Sequence, residues 1–394
     1  MTHRDVFVVS TARTAIGTFG GSLKDVPNTQ LATTAVKAAI QRSGLAPDAV
    51  GHVVMGNVIP TDTKDAYLAR VAAIDAGCPI ETPAFNVNRL CGSGLQAIIS
   101  AAQAIGYGDC DVAVGGGSES MSRGPYFDTA ARYGARMGDA KSIDYMLGIL
   151  HDPWQKMHMG ITAENVAERY KISREMQDQL ALESQRRAAA AIAAGYFKDQ
   201  IVPVTLKSKK GDVQYATDEH FRPGATMDDM AKLKPVFVKE NGTVTAGNAS
   251  GINDGAAAVV VMTAKKAAAL GLKPLARIAA FGTSGLDPAT MGMGPVPASR
   301  KALQRAGWNA ADVDLFELNE AFAAQACAVN KELGIDPAKV NVNGGAIAIG
   351  HPIGASGCRI LVTLLHEMQR RDAKKGLAAL CIGGGMGVSL ALER

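Results

Sequence analysis

The sequence predicts an α/β protein: a layered α/β/α/β/α sandwich made of two duplicated halves, with a loop domain inserted into the first. Three observations carry this. The chain repeats itself in a fixed order, strand-like apolar runs alternate with helical ones, and one long helical segment is apolar almost all round. The 394 residues suit two to three domains.

The repeat comes first. IQRSGLAPDAV (40–50) resembles LQRAGWNAADV (303–313), and at the same offset of 263 residues CGSGLQAI (91–98) lies over GASGCRIL (354–361). VAVGGG (112–117) resembles ALCIGGG (379–385) at an offset of 268. In the second half the triple glycine runs straight into a terminal strand, MGVSLALE (386–393). The matching strand of the first half, AAAVVVM (256–262), comes some 140 residues after Gly117. The expected division is therefore 1–119 with 250–271 as the N-terminal half, 120–249 as the inserted loop domain, and 272–394 as the C-terminal half.

Within the first half the elements follow in α/β order. VFVVS is strand-like, residues 29–43 are helical, HVVMGN is strand-like, 92–106 is helical and DVAVGGG closes the series. The helix GSGLQAIISAAQAIG is apolar almost all round, so it belongs between sheets rather than at the surface.

Composition excludes several functions. Lys+Arg 41 against Asp+Glu 37 gives a net charge of +4, which makes no electrostatic case for nucleic acid or a membrane surface. The most apolar stretch, AAAVVVMTA at 256–264, is half of a membrane span, and the N-terminal apolar run is too short for a signal peptide. The six cysteines form no C-x-x-C pair and no metal-ligand spacing, so zinc and secreted disulfides are not expected. The expected location is cytoplasmic. After a G-x-G-x-x-A match at 92–97, the acidic residues that follow, Asp109 and Asp111, precede the next strand instead of ending it, so a dinucleotide site is not expected.

Glycine, at 43 residues, is in excess, and it clusters around reactive side chains. Cys91 sits between a strand-like run and the apolar helix, flanked by Gly92 and Gly94. A thiol at a helix N-terminus is expected to favour thiolate. His351, in GHPIGASG, is a loop histidine able to activate a thiol. Cys381 precedes three glycines, beginning at Gly383, whose unshielded N–H groups suit an oxyanion. Both halves keep the glycines, but only the second places a cysteine ahead of them, as expected of a site built between unequal halves. Asn319, in NEAFA after an apolar strand, carries an amide able to hold a water or an oxygen.

Together NRLCGSGLQA, GNASGINDGAAA, NEAFA, GHPIGASG and CIGGGMG resemble the thiolase family, in the family's order and across the whole chain. The stretch HDPWQKMHMGITAENVA and the length are similar to the bacterial biosynthetic β-ketothiolases associated with polyhydroxyalkanoate synthesis. The resemblance implies the five-layered fold and reversible condensation of acetyl-CoA, with coenzyme A thioesters as substrates and no prosthetic group or metal. By the same resemblance Cys91 is the acylated nucleophile, and His351 activates it. His351 also shares an oxyanion hole with a water held by Asn319. Cys381 is the second acid/base, and the N–H groups of Cys91 and Gly383 form another oxyanion hole. Ser250, His158 and Met159 contact the pantetheine arm, and Arg222 contacts the nucleotide end. Met159, Met291 and Phe322 line the acyl pocket. Relatives carry a tetramerisation loop near 120–145, which implies a homotetramer. Two other readings stay open: a decarboxylating ketoacyl synthase-type enzyme, and a silent acyl-CoA-binding protein of the same shape.

Overall fold

The computed structural model describes residues 4–394; the first three residues, part of the N-terminal run read above, lie outside it. Nine strands build the central framework. In the first half these are β1 (Val6–Arg13), β2 (His52–Gly56), β3 (Ala84–Val87), β4 (Val112–Ser120) and β5 (Asn253–Thr263). The second half supplies β6 (Ala276–Gly285), β7 (Leu315–Leu318), β8 (Lys375–Ile382) and β9 (Met386–Glu393).

The strand order repeats. The first half runs β3-β2-β4-β5-β1 and the second β7-β8-β9-β6. An isolated parallel bridge from Phe316 to Val340 stands in the place that β3 fills in the first half. A short contact, Phe7 with Arg277 and Val8 with Ala276, joins β1 to β6. The two expected sheets are thus continuous, and with the short strand Gly17–Thr18 they count as one ten-stranded sheet.

Helices cover this framework in layers. The helices α1 (Asn28–Arg42) and α2 (Leu68–Asp75) pack outside the first half, with Leu31, Ala35, Val53, Val114 and Val260 in one apolar core. The apolar segment forms α3 (Ser93–Tyr107) and lies between the halves, with Leu95, Ile98, Ile99 and Ile105 buried. The inserted region contributes α4 (Met159–Tyr170) and α5 (Arg174–Ala193). On the far side lie α6 (Pro295–Ala306) and α7 (Ala323–Leu333). The last helix, α8 (Ile353–Arg371), joins α3 in the central layer, where Leu95, Ile98, Ile360, Leu364, Leu380 and Leu390 share a core. That arrangement is the expected α/β/α/β/α sandwich.

Two glycines let the central helices touch. A Cβ on Gly94 would sit 2.8 Å from the Cys358 nitrogen, and one on Gly357 would sit 2.7 Å from Leu95 Cβ. These contacts are images of one another under the 263-residue offset, so the helices meet about an approximate two-fold axis. The Gly92–Gly94 pattern serves this close approach, which accounts for its likeness to a dinucleotide loop.

One repeat match is corrected by the strand register. Val53 pairs with Val114 and Phe316 with Leu377, so β2/β4 and β7/β8 correspond at an offset of 263, not 268. Gly115–Gly117 lie inside β4, where a Cβ on Gly115 would sit 2.6 Å from Ile98 Cα. Gly383–Gly385 instead form the turn between β8 and β9, with φ of +77° at Gly384 and Gly385. The two triplets answer different steric demands, helix packing in one half and a hairpin turn in the other.

The inserted region is tied to β1 by a buried ion pair. Arg13 meets Asp218 through two bonds of 2.8 and 2.9 Å and reaches Gln200 Oε1 at 3.1 Å. Removing the guanidinium strands a buried carboxylate, which typically costs about 3–5 kcal/mol. Arg13→Ala is therefore expected to lower chemical-denaturation stability by about that much. An unchanged denaturation midpoint would refute this role for the pair. No helix among the described residues is long and apolar enough to cross a membrane.

Candidate active site

Cys91 sits just ahead of α3, whose first residue is Ser93. The approach is a tight turn: Arg89 N donates to Ser93 Oγ at 2.8 Å and Ser93 Oγ donates to Leu90 O at 2.7 Å. Leu90 has φ of +46°, a left-handed conformation unusual for a branched side chain and characteristic of strained functional turns.

The second half brings three loops to the same place. Asn319 follows β7, and its N–H donates to Ala379 O at 3.0 Å. Cys381 lies near the end of β8, and Gly383 opens the turn after it. His351 precedes α8, and its N–H donates to Asn253 Oδ1 of the first half at 2.9 Å. A Cβ on Gly350 would sit 2.6 Å from that asparagine's Cγ, and its φ is +114°, so only glycine fits there.

The hydrogen bonds of His351 fix its tautomer. Ser356 Oγ donates its one hydrogen to Pro352 O at 2.8 Å and so accepts from His351 Nδ1–H at 2.6 Å. Nε2 is left with a free lone pair, the arrangement of a base. The Asn319 amide nitrogen lies 3.4 and 3.5 Å from the two ring nitrogens, and its Oδ1 is buried without a protein partner. Burial, assisted by the positive charge of Arg359, pushes the His351 pKa down to about 3, so the ring is neutral at physiological pH.

Cys91 departs from the thiolate expected of a helix N-terminus. Burial pushes its thiol up to about 11, against the pull of the Gly383 N–H and its own N–H. Desolvation of the anion outweighs the helix terminus here. The resting residue is a thiol, and its proton has to move as the sulfur attacks. Burial raises Cys381 further still, with Cys91 as a nearby contributor.

These groups open onto one cavity of ≈ 360 Å³. Cys91, His351, Cys381, Gly383, Ser250, His158, Met159, Met291 and Phe322 all line it. Asn319 stands behind His351, 1% exposed. Arg222 is not brought in: its side chain is exposed and outside the cavity wall, and only its backbone N–H is tied, to Gln185 Oε1 at 2.8 Å. Its placement on the nucleotide end thus gains no support from the cavity.

His158 caps α4, accepting from Gly160 N at 3.0 Å through Nδ1, so its remaining hydrogen is on Nε2. Its ring stacks on Phe237 with centroids 4.6 Å apart, and Phe237 meets Phe322 edge-on at 6.4 Å. Burial and the neighbouring His151 lower its pKa to about 4, which keeps it a neutral donor.

Some residues of the site are not singled out by sequence patterns. Leu90, Met121, Leu147, Leu150, Phe237 and Ile353 make much of the apolar wall. Ser356 stood inside the GHPIGASG motif, where its five-residue spacing from His351 was the available signal. Glu119 follows the triple glycine of the first half and is fully buried. Burial pushes its carboxyl up to about 8, yet all its partners are N–H donors, which is the setting of a carboxylate.

The fold and the paired cysteines with a loop histidine define a class, and comparison with known proteins places the chain in it. Residues 6–265 match the model for the thiolase N-terminal domain and 272–394 that for the C-terminal domain. The chain belongs to the thiolase family. It is 63% identical over 391 residues to the beta-ketothiolase BktB of Cupriavidus necator, covering 99% of each chain. To the acetyl-CoA acetyltransferase of the same bacterium it is 59% identical over 392 residues, again covering 99% of each. Among solved structures, human mitochondrial 3-ketoacyl-CoA thiolase in complex with CoA matches with TM-score 0.95 and 46% identity, covering 99% of this chain and 98% of that one.

Proposed function

We propose that the chain is an acyl-CoA C-acyltransferase, a thiolase that reversibly condenses two acetyl-CoA, or acetyl-CoA and a short acyl-CoA, to a 3-ketoacyl-CoA and free CoA. One observation carries this: Cys91 from one half and His351, Cys381 and Gly383 from the other line one apolar cavity. A single activated thiol would serve simple acyl transfer; a second buried thiol beside it supplies the extra proton transfer that carbon–carbon bond formation needs. Identity of 63% to a named beta-ketothiolase and 59% to a named acetyl-CoA acetyltransferase, over 99% of each chain, favours this over the ketoacyl synthase and silent-carrier readings.

In the first half-reaction the Cys91 sulfur attacks the thioester carbonyl as its proton passes to Nε2 of His351. The C–S bond to CoA breaks, and the departing thiolate takes that proton. Thioester exchange conserves the energy of the bond, so the acyl-Cys91 intermediate is neither a trap nor a loss. Because Cys91 rests as a thiol and His351 as neutral imidazole, charge appears only during attack, when the N–H groups of Cys91 and Gly383 meet the developing oxyanion. In the second half-reaction Cys381 passes its thiol proton to Nε2 of His351 and, as the thiolate, takes an α-proton from a second acetyl-CoA. The His351 imidazolium and a water held by Asn319 stabilise the enolate oxygen. The carbanion attacks acyl-Cys91, the bond from the acyl carbon to the Cys91 sulfur breaks, and the departing Cys91 thiolate takes its proton back from His351.

His158 Nε2–H and Ser250 suit the amides of the pantetheine arm, Arg222 is assigned to the nucleotide end, and Met159, Met291 and Phe322 to the acyl pocket. Coenzyme A thioesters are substrates, and no prosthetic group is required by these steps. The same reading divides the chain into 1–119 with 250–271, an insertion at 120–249, and 272–394. It makes the protein a cytoplasmic homotetramer serving polyhydroxyalkanoate synthesis. Support for assembly comes from the hairpin of Tyr126–Asp128 and Ser142–Asp144, where Tyr126 (64%), Phe127 (48%) and Ile143 (47%) are exposed apolar groups on one small sheet. A covalent intermediate requires ping-pong kinetics: thiolysis of acetoacetyl-CoA at several CoA concentrations is expected to give parallel double-reciprocal lines. Intersecting lines would exclude the acyl-enzyme route.

A further inference from the structure

None of the steps above uses Glu119, a fully buried carboxylate that bonds across the junction of the two halves. Its Oε1 accepts from Asn57 Nδ2 at 2.8 Å and Ile59 N at 2.9 Å. Its Oε2 accepts from Gly354 N at 2.8 Å and Val58 N at 3.1 Å. The partners come from two directions. Residues 57–59 follow β2 in the first half, and Gly354 is in the first turn of α8 in the second, three residues after His351. Val58, Ile59, Ile353, Leu90 and Cys91 pack together around this junction.

A carboxylate with four donors and full burial costs folding free energy unless every bond is made, so such a group holds its neighbours in a single arrangement. The Gly354 bond is the informative one. Through it a first-half side chain grips the segment that carries His351, directly opposite the first-half Cys91. A Cβ on Gly354 would come within 2.5 Å of Glu119 Oε2, so glycine at this position is required for the grip.

We propose that Glu119 is a positioning residue for acyl transfer: by binding the Gly354 N–H it sets the His351 loop at the reach at which Nε2 takes the Cys91 proton. The proposal rests on the thiolase reading. Its logic is geometric, since displacement of a catalytic group by about 1 Å can cost about 100-fold in rate.

Glu119→Ala and Asn57→Ala together test it. Asn57→Ala removes one bond to the same carboxylate but leaves the Gly354 contact. For Glu119→Ala, the thiolysis kcat is expected to fall about 100-fold with KM for CoA within about threefold. Amide hydrogen exchange over 350–358 is expected to accelerate. Asn57→Ala is expected to keep kcat within about threefold of the parent, with that exchange unchanged. Should Glu119→Ala fail to fold, the isosteric Glu119→Gln takes its place, with a loss of about tenfold and the same exchange signature. Parent-like kcat in the Glu119 variant, unchanged exchange at 350–358, or equal losses in both positions would overturn the proposal. A parent enzyme without turnover would instead sink the thiolase reading, and the exchange comparison would still decide whether Glu119 holds the loop.

Discussion

Cys91→Ala is expected to reduce thiolysis of acetoacetyl-CoA by at least about 10³-fold, with the fold intact, because removing a nucleophile leaves only binding and the oxyanion hole. Alanine fits the turn, because Cys91 does not carry the left-handed conformation, which falls on Leu90. Steady-state rates on protein of parent-like circular dichroism check the expectation. Activity within tenfold of the parent would mean that acyl transfer does not pass through this sulfur.

The second large effect belongs to Cys381→Ser. Its hydroxyl is a far weaker acid than a thiol, so it cannot exchange a proton with a carbon acid at a useful rate. Acylation of Cys91 by acetyl-CoA is expected to survive within about tenfold, while condensation and thiolysis fall by about 10²–10⁴-fold. The separation follows from the site: Cys381 neighbours Cys91, but the N–H groups and the imidazole that serve the first step come from Cys91, Gly383 and His351. Quench-flow measurement of acyl-enzyme beside steady-state turnover distinguishes the two. Equal loss of both steps would reject the division of labour.

The layered architecture was legible because its signals are local and repeated. A helix that is apolar almost all round has to be largely covered, and α3 buries Leu95, Ile98, Ile99 and Ile105 between the halves, leaving Gln103 and Tyr107 near its end exposed. The 263-residue repeat survives because the central helices meet through equivalent glycines. Where the reading failed, identical letters answered different physical needs. The two triple glycines match by eye, yet one sits within β4 against α3 and the other turns a hairpin. The continuity of the sheet rests on only two residue pairs between β1 and β6, and no composition pattern marks a contact that short.

The site divides in the same way. Cys91, His351 and Cys381 stood out because glycine-flanked reactive side chains are rare. Their protonation states did not, because burial is a property of the assembled halves: desolvation reverses the effect expected of the helix terminus at Cys91. Ser356 and Glu119 went unnoticed as ordinary polar residues beside conspicuous glycines, although each orients the histidine loop through a bond shorter than 3 Å.

The central claim is a covalent acyl-enzyme at Cys91. Mass spectrometry of the intact protein after brief exposure to acetyl-CoA, followed by peptide mapping, addresses it directly. The expected result is one added acetyl group on the peptide containing Cys91, removed when free CoA is supplied. An unmodified protein, or an acetyl group confined to Cys381 or another residue, would contradict it.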